Sequence, residues 1–263
     1  MSVVVQISDP HFGTERADVV AALHEAIARV RPDLVILSGD VTQRARRSQF
    51  DAARRFIDGC ERPTLVVPGN HDVPLFNLFA RATNPFGGFR RVFGHDLEPI
   101  HDVGDLLAIG VNTVRARRHK NGEVSPSQIA RVSARLRQAR DTQLRVVVTH
   151  QPVHVIREKD HANLLIHHEA AVDAWHAAGA DLILGGHIHL PYVREVRDGT
   201  WSVQAGTALS TRIRDGIGNS FHVIRHQARR VEVEQWDYAE GARAFAATAH
   251  TVVPLRRDAA RHS

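Results

Sequence analysis

Short aliphatic runs separated by amphipathic stretches set the organisation of this chain. Five runs rich in Val, Ile and Leu, at residues 3–8, 34–38, 65–68, 146–149 and 182–184, lack the polar–apolar alternation of a half-exposed strand. Runs of this length and composition predict strands buried on both faces, as in a parallel sheet. Between them the period becomes helical. Residues 17–30 place Val20, Leu23, Ile27 and Val30 on one face and stop at Arg31-Pro32. Residues 48–57 do the same with Phe50, Ala53, Phe56 and Ile57. Helices are also expected over 127–139, opened by Ser125-Pro126, and over 169–178. This succession predicts βαβ units, with a further strand over 106–114 opening a second half.

Beyond Tyr192 the pattern alternates over 192–196, 200–205, 221–225 and 231–236, with Asp198-Gly199 as a turn. That predicts antiparallel strands. The expected architecture is α/β, with two sheets face to face and helices outside. The stretch 74–100 has no clean period and carries Phe76, Phe79, Phe86, Phe89 and Phe93. It reads equally as a lid over a site or as a helix and loop packed on a sheet. No strong pattern follows Gly241, so residues 1–240 are expected as one domain and 241–263 as a tail. No Pro-, Gly- or Ser-rich linker divides the 263 residues.

Composition narrows the setting. A formal charge of +5, carried mostly by arginine, suits anionic partners but fits a solvated surface as well. A single cysteine, Cys60, excludes an internal disulfide and points to a reducing compartment. No apolar stretch approaches the length of a membrane span, and the first ten residues do not read as a signal peptide. A cytoplasmic protein with no transmembrane segment is expected.

The chemistry sits where the aliphatic runs end. They lead into Asp9-Pro10-His11, Gly39-Asp40, Gly69-Asn70-His71-Asp72, His150 and Gly186-His187-Ile188-His189. Open α/β sheets bind ligands beyond the carboxyl ends of their strands, so these residues should meet. Asp, Asn and His without Cys suit one or two divalent ions such as Mn, Fe or Zn. Extended geometry would turn Asp9 and His11 to one side, and Pro10 favours that geometry at Asp9. His187 and His189 repeat the spacing. Asp72 reads either as an orienting carboxylate or as a helix cap.

Taken together, these motifs resemble the signature of the calcineurin-like metallophosphoesterases. Among them the Gly-Asn-His-Asp and Gly-His-x-His forms resemble bacterial class III cyclic nucleotide phosphodiesterases. The resemblance implies a four-layer αββα sandwich of two mixed sheets flanked by helices. It also implies a binuclear centre of two divalent metal ions, Mn and/or Fe, with Zn as an alternative. Asp9, His11, Asp40 and His189 would hold one metal, and Asp40, Asn70, His150 and His187 the other, with Asp40 bridging. A hydroxide bridging the metals would attack the phosphodiester, and His71 would protonate the leaving oxygen.

The implied partner is a small phosphodiester, with cyclic AMP first. A glycerophosphodiester, the pyrophosphate of UDP-diacylglucosamine and a nucleic acid are the other substrate classes. No appended nucleic-acid module is visible. A catalytically silent scaffold is the non-enzyme reading, and the filled ligand positions speak against it. Some relatives dimerise, which leaves a homodimer open. The sequence departs from many relatives at Pro10, at Gln151, and at Arg44, Arg46 and Arg47, which read either as a solvated face or as phosphate contacts. His154, His161, His167 and His168 are expected to face solvent.

Overall fold

The computed structural model describes residues 1–227 and 230–255. Two six-stranded sheets form the centre. In the first, β1 (Ser2–Ile7), β2 (Leu34–Ser38) and β3 (Thr64–Val67) run parallel. β10 (Ser220–Gln227), β11 (Arg230–Ala239) and β12 (Ala244–Pro254) extend that sheet antiparallel from β1. In the second, β5 (Leu106–Gly110), β6 (Leu144–Val148), β7 (Leu182–Gly185) and β9 (Thr200–Gln204) are parallel. β4 (Ile100–Val103) and β8 (Tyr192–Arg197) close its two edges antiparallel.

The sheets pack face to face through Val4, Ile36 and Val67 on one side and Ala108, Val146 and Leu184 on the other. The side chains on alternate positions of the same strands face outward and bury helices. Val5, Val35 and Leu37 pack under α1 (Ala17–Val30) and α2 (Arg47–Cys60). Leu107, Val147 and Ile183 pack under α5 (Pro126–Arg137) and α6 (His168–Ala177). Both faces of each parallel strand are therefore covered, which is why the aliphatic runs carry no alternation. The four-layer αββα sandwich expected from the sequence is the observed fold.

Two expectations are corrected. The tail reading fails for Ala244–Pro254, which pairs with β11 along its whole length. A boundary at residue 240 would cut a β-hairpin. As an edge strand, β12 is mostly solvated, with only Phe245 and Val253 buried in it, so it carries little hydrophobic signal. Residues 256–263 of that tail lie outside the described part. The stretch 74–100 divides rather than acting as one piece. α4 (Gly87–Phe93) packs on α2, with Phe89 edge-on to Phe50. α3 (Leu78–Thr83) buries none of its residues. β4 was not visible in the pattern because it too is an exposed edge.

Candidate metal centre

Every motif residue is delivered to one place by the carboxyl end of a parallel strand. β1 leads to Asp9 and His11, β2 to Asp40, β3 to Asn70 and His71, β6 to His150, and β7 to His187 and His189. One potential donor atom from each of Asp9, His11 and His189 lies within 4.8 Å of the others, and the same holds for Asp40, His150 and His187. His11, Asp40 and His71 form a third such group. Asn70 joins through its Oδ1, 3.3 Å from His150 Nε2. His189 Nε2 sits 3.1 Å from Asp9 Oδ1 and 3.2 Å from His11 Nε2. His150 Nε2 is 3.2 Å from Asp40 Oδ1.

The local backbone differs from the extended geometry expected of Asp9-Pro10-His11. Asp9, His11, Asp40, His187 and His189 all have φ between 45° and 72°. For non-glycine residues this is a sparsely populated region that persists only where the surroundings enforce it. Here the enforcement is visible. Asp9 N–H bonds to Gly39 O and His11 N–H to Asp40 O, both at 3.1 Å. These bonds continue the parallel ladder past its last regular pair and turn both side chains inward. Gly186 is required by packing, since a Cβ there would overlap Ser8 Oγ and Asp9 Oδ2. Asp9 Oδ2 accepts hydrogen bonds from Ser8 Oγ at 2.6 Å and from His187 N–H at 2.8 Å.

Asp72 does not cap a helix ahead of Pro74; it closes the short turn Asn70–Asp72 by accepting from Gly69 N–H. Its buried carboxylate accepts from the N–H groups of Val41, Thr42 and Gly69 and from the Thr42 hydroxyl. It ties the loop after β2 to the loop after β3. Burial and the nearby Asp40 charge raise its pKa to about 6.

The donor set fits metal ions. The Nδ1 atoms of His150 and His189 face the carbonyls of Ser38, at 2.9 Å, and Arg212, at 2.6 Å. A carbonyl only accepts, so each Nδ1 carries a proton and each Nε2 is turned to the centre, the usual orientation of a ligating imidazole. His187 Nε2 is buried with no hydrogen-bond partner among the described residues. Burial draws the pKa of His11 and His187 down to about 3, so both are neutral donors. His150 is buried too, but the Asp40 carboxylate overcomes that and raises it to about 9. Burial alone would raise Asp9 and Asp40; the facing His189 and His150 instead hold both below the usual carboxylate range.

A cavity of about 430 Å³ opens over this cluster, walled by Asp40, Asn70, His71, His187 and His189 together with His119, Lys120, Arg212 and Arg214. Sequence reasoning did not find the last four. Arg212 and Arg214 lie in the loop after β9, beyond the last motif. Arg214 is held by two bonds to the carboxylate of Asp160, at 2.9 and 3.2 Å. Arg212 Nη1 bonds Gln43 Oε1 at 2.9 Å and lies 3.3 Å from His71 Nε2. His71 Nδ1 is 2.8 Å from the Gln43 carbonyl, which turns Nε2 into the cavity.

Arg46 and Arg47 are exposed, and Arg47 faces Asp51, so for these two the solvated reading holds. Arg44 stacks over Phe76 at 5.3 Å. Gln151 is buried, bonding Thr113 and the Lys120 carbonyl. His154, His161, His167 and His168 do not wall the cavity; His161 and His167 are exposed, whereas His154 and His168 are half-buried.

Residues 2–191 match the family profile of the calcineurin-like phosphoesterases. The chain belongs to that family and is a metal-dependent phosphoester hydrolase. A relative in Arcobacter nitrofigilis, a probable glycerophosphodiester phosphodiesterase GpdQ, is 25% identical over 201 residues, 71% of each chain. A probable cyclic nucleotide phosphodiesterase of Synechococcus sp. is 22% identical over 201 residues, 73% of this chain and 74% of the relative. A dimetal phosphatase from Danio rerio shares the fold with a TM-score of 0.69 at 15% identity, covering 96% of this chain and 98% of its own. Purple acid phosphatase PPD1 from yellow lupin superposes with a TM-score of 0.71 at 13% identity, covering 97% of this chain and 54% of its own. No helix among the described residues is long and apolar enough to cross a membrane.

Proposed function

We propose that the chain is a binuclear-metal phosphodiesterase acting on a small phosphodiester, with a 3',5'-cyclic nucleotide as the leading substrate. The observation that carries this reading is the pair of donor groups, Asp9–His11–His189 and Asp40–His150–His187, of which Asp40, His187 and His189 line one cavity. Asp9, His11, Asp40 and His189 would hold one ion, and Asp40, Asn70, His150 and His187 the other, with Asp40 shared. Two divalent ions there would polarise the phosphoryl oxygens and supply the nucleophile at neutral pH.

The chain's own side chains do the rest. Asn70 offers a neutral oxygen, which adds no charge against an anionic substrate. His71 is half-exposed at the cavity wall, whereas His11 and His150 are fully buried. Nδ1 keeps its proton on the Gln43 carbonyl, so the doubly protonated ring is the acid, with Nε2 placed to give its proton to the leaving oxygen. This separates His71 from the ligands, although proximity alone groups it with His11 and Asp40. Arg212, with no carboxylate partner among the described residues, offers its charge to a non-bridging phosphoryl oxygen.

A glycerophosphodiester is the second reading, supported by the 25% identity to the Arcobacter relative. Manganese-loaded protein should hydrolyse an aryl phosphodiester, and a panel of cyclic AMP and glycerophosphodiesters ranks the two. Absence of cyclic AMP turnover would remove the leading choice. Unimpaired hydrolysis by His71→Ala would remove the role given to His71.

A further inference from the structure

Beside the mouth of the cavity the molecule carries an exposed apolar tip. Phe76 is 78% exposed, Leu78 72% and Phe79 78%. Three large apolar side chains exposed within four residues are a feature of the kind that marks an interaction site. The segment bearing them is joined to the site: Val73, Leu75 and Arg81 wall a small side pocket with Gln43, Arg44 and His119. That pocket shares Asn70, His71 and His119 with the main cavity.

The tip is set among arginines. Of the nine in segments 41–50, 73–95 and 111–122, Arg47 and Arg91 pair with Asp51, and Arg115, Arg117 and Arg118 with Glu123, which leaves Arg44, Arg46, Arg81 and Arg90 with no carboxylate partner among the described residues. The whole chain holds 34 Lys and Arg against 29 Asp and Glu. Arg81 bonds the carbonyls of Pro74 at 3.1 Å and Arg118 at 2.7 Å and meets no carboxylate among the described residues. Arg44 lies over the Phe76 ring. Apolar side chains beside arginines that lack a carboxylate partner suit a surface that is negative outside and apolar beneath.

We propose that this tip, Phe76, Leu78 and Phe79 with Arg44 and Arg81 beside them, docks the cavity mouth onto an anionic lipid bilayer. The apolar side chains enter the interface and the cations meet headgroup phosphates. A nucleic acid is the less favoured partner, because Leu78 offers no ring to stack a base and no hydrogen bond to read one. The inference does not rest on the phosphodiesterase reading, since binding is read without turnover.

The test is co-sedimentation of the full chain with vesicles of phosphatidylglycerol and phosphatidylcholine in equal parts, against phosphatidylcholine alone. Binding is expected to the anionic vesicles and to weaken with added salt. The variant F76S/L78S/F79S, checked for an unchanged circular dichroism spectrum and melting temperature, should partition at least about tenfold less. Any of four results overturns the proposal. These are no binding by the unaltered chain, equal binding by the variant, a dimer in light scattering that the variant dissolves, or tighter binding to single-stranded DNA than to vesicles.

Discussion

Removing the Arg212 side chain tests how the cavity handles substrate charge. Its Nη1 is positioned by Gln43 Oε1 at 2.9 Å and faces His71 Nε2 at 3.3 Å. Arg214, two residues on, is already neutralised by Asp160. Arg212 is thus the positioned guanidinium left to meet a phosphoryl group. A hydrogen bond to a charged group contributes about 1.5–3 kcal/mol, so Arg212→Ala should lower kcat/KM by roughly 10- to 150-fold. Arg212→Lys keeps the charge but not the planar fork, and should recover only part of the loss. The residue's other contribution is its backbone carbonyl, which receives His189 Nδ1. Neither substitution touches that carbonyl, so metal content should stay at the level of the unaltered chain. Steady-state kinetics on an aryl phosphodiester, paired with elemental analysis, separates the two roles. An alanine variant within about threefold of the parent, or one that has lost its metal, refutes the reasoning.

Gly186→Ala should disturb the centre without removing a ligand. The new methyl meets Ser8 Oγ and Asp9 Oδ2, both locked in hydrogen bonds. Overpacking of this kind costs about 1–3 kcal/mol, and misplacing Asp9 should weaken metal binding by about 10- to 100-fold. Thermal melting and metal titration report each effect, and parental values in both would contradict the packing argument. His222, buried on β10, has its pKa drawn by burial from 6.5 down to about 4. The unfolded chain takes up this proton below pH 6.5 while the folded chain resists it until about pH 4, so stability falls as pH drops through that window. The loss amounts to about 2–3 kcal/mol by pH 4.5. Urea unfolding of His222→Gln at pH 7 and 4.5 should show a correspondingly smaller acid loss, and an unchanged one would rule out this source.

The sequence was most legible where burial on both faces leaves an unbroken aliphatic run. β1, β2, β3, β6 and β7 were readable for that reason, and the residues at their ends followed from chain geometry. Two edge strands and one short helix were not readable. β4 and β12 bury too few side chains to leave a period, and α3 buries none. The positive φ values of Asp9 and His11 could not be read either, since Pro10 favours the opposite conformation at Asp9 and the inter-strand bonds to Gly39 and Asp40 override it. Arg212 and Arg214 sit in an irregular loop with no motif of their own. The signal that could have found them is position: they follow β9, which lies parallel beside β7, so their loop leaves the sheet at the same edge as His187.

The central claim is that Asp40 is shared by two metal ions. The most direct measurement is the metal stoichiometry of the loaded chain and of Asp40→Ala by elemental analysis, with aryl phosphodiester turnover on the same samples. The parent should hold two divalent ions. Asp40→Ala should hold at most one and lose turnover by about a thousandfold or more, the several kcal/mol expected of a two-metal clamp. Two tightly held ions and undiminished turnover in Asp40→Ala would contradict the account.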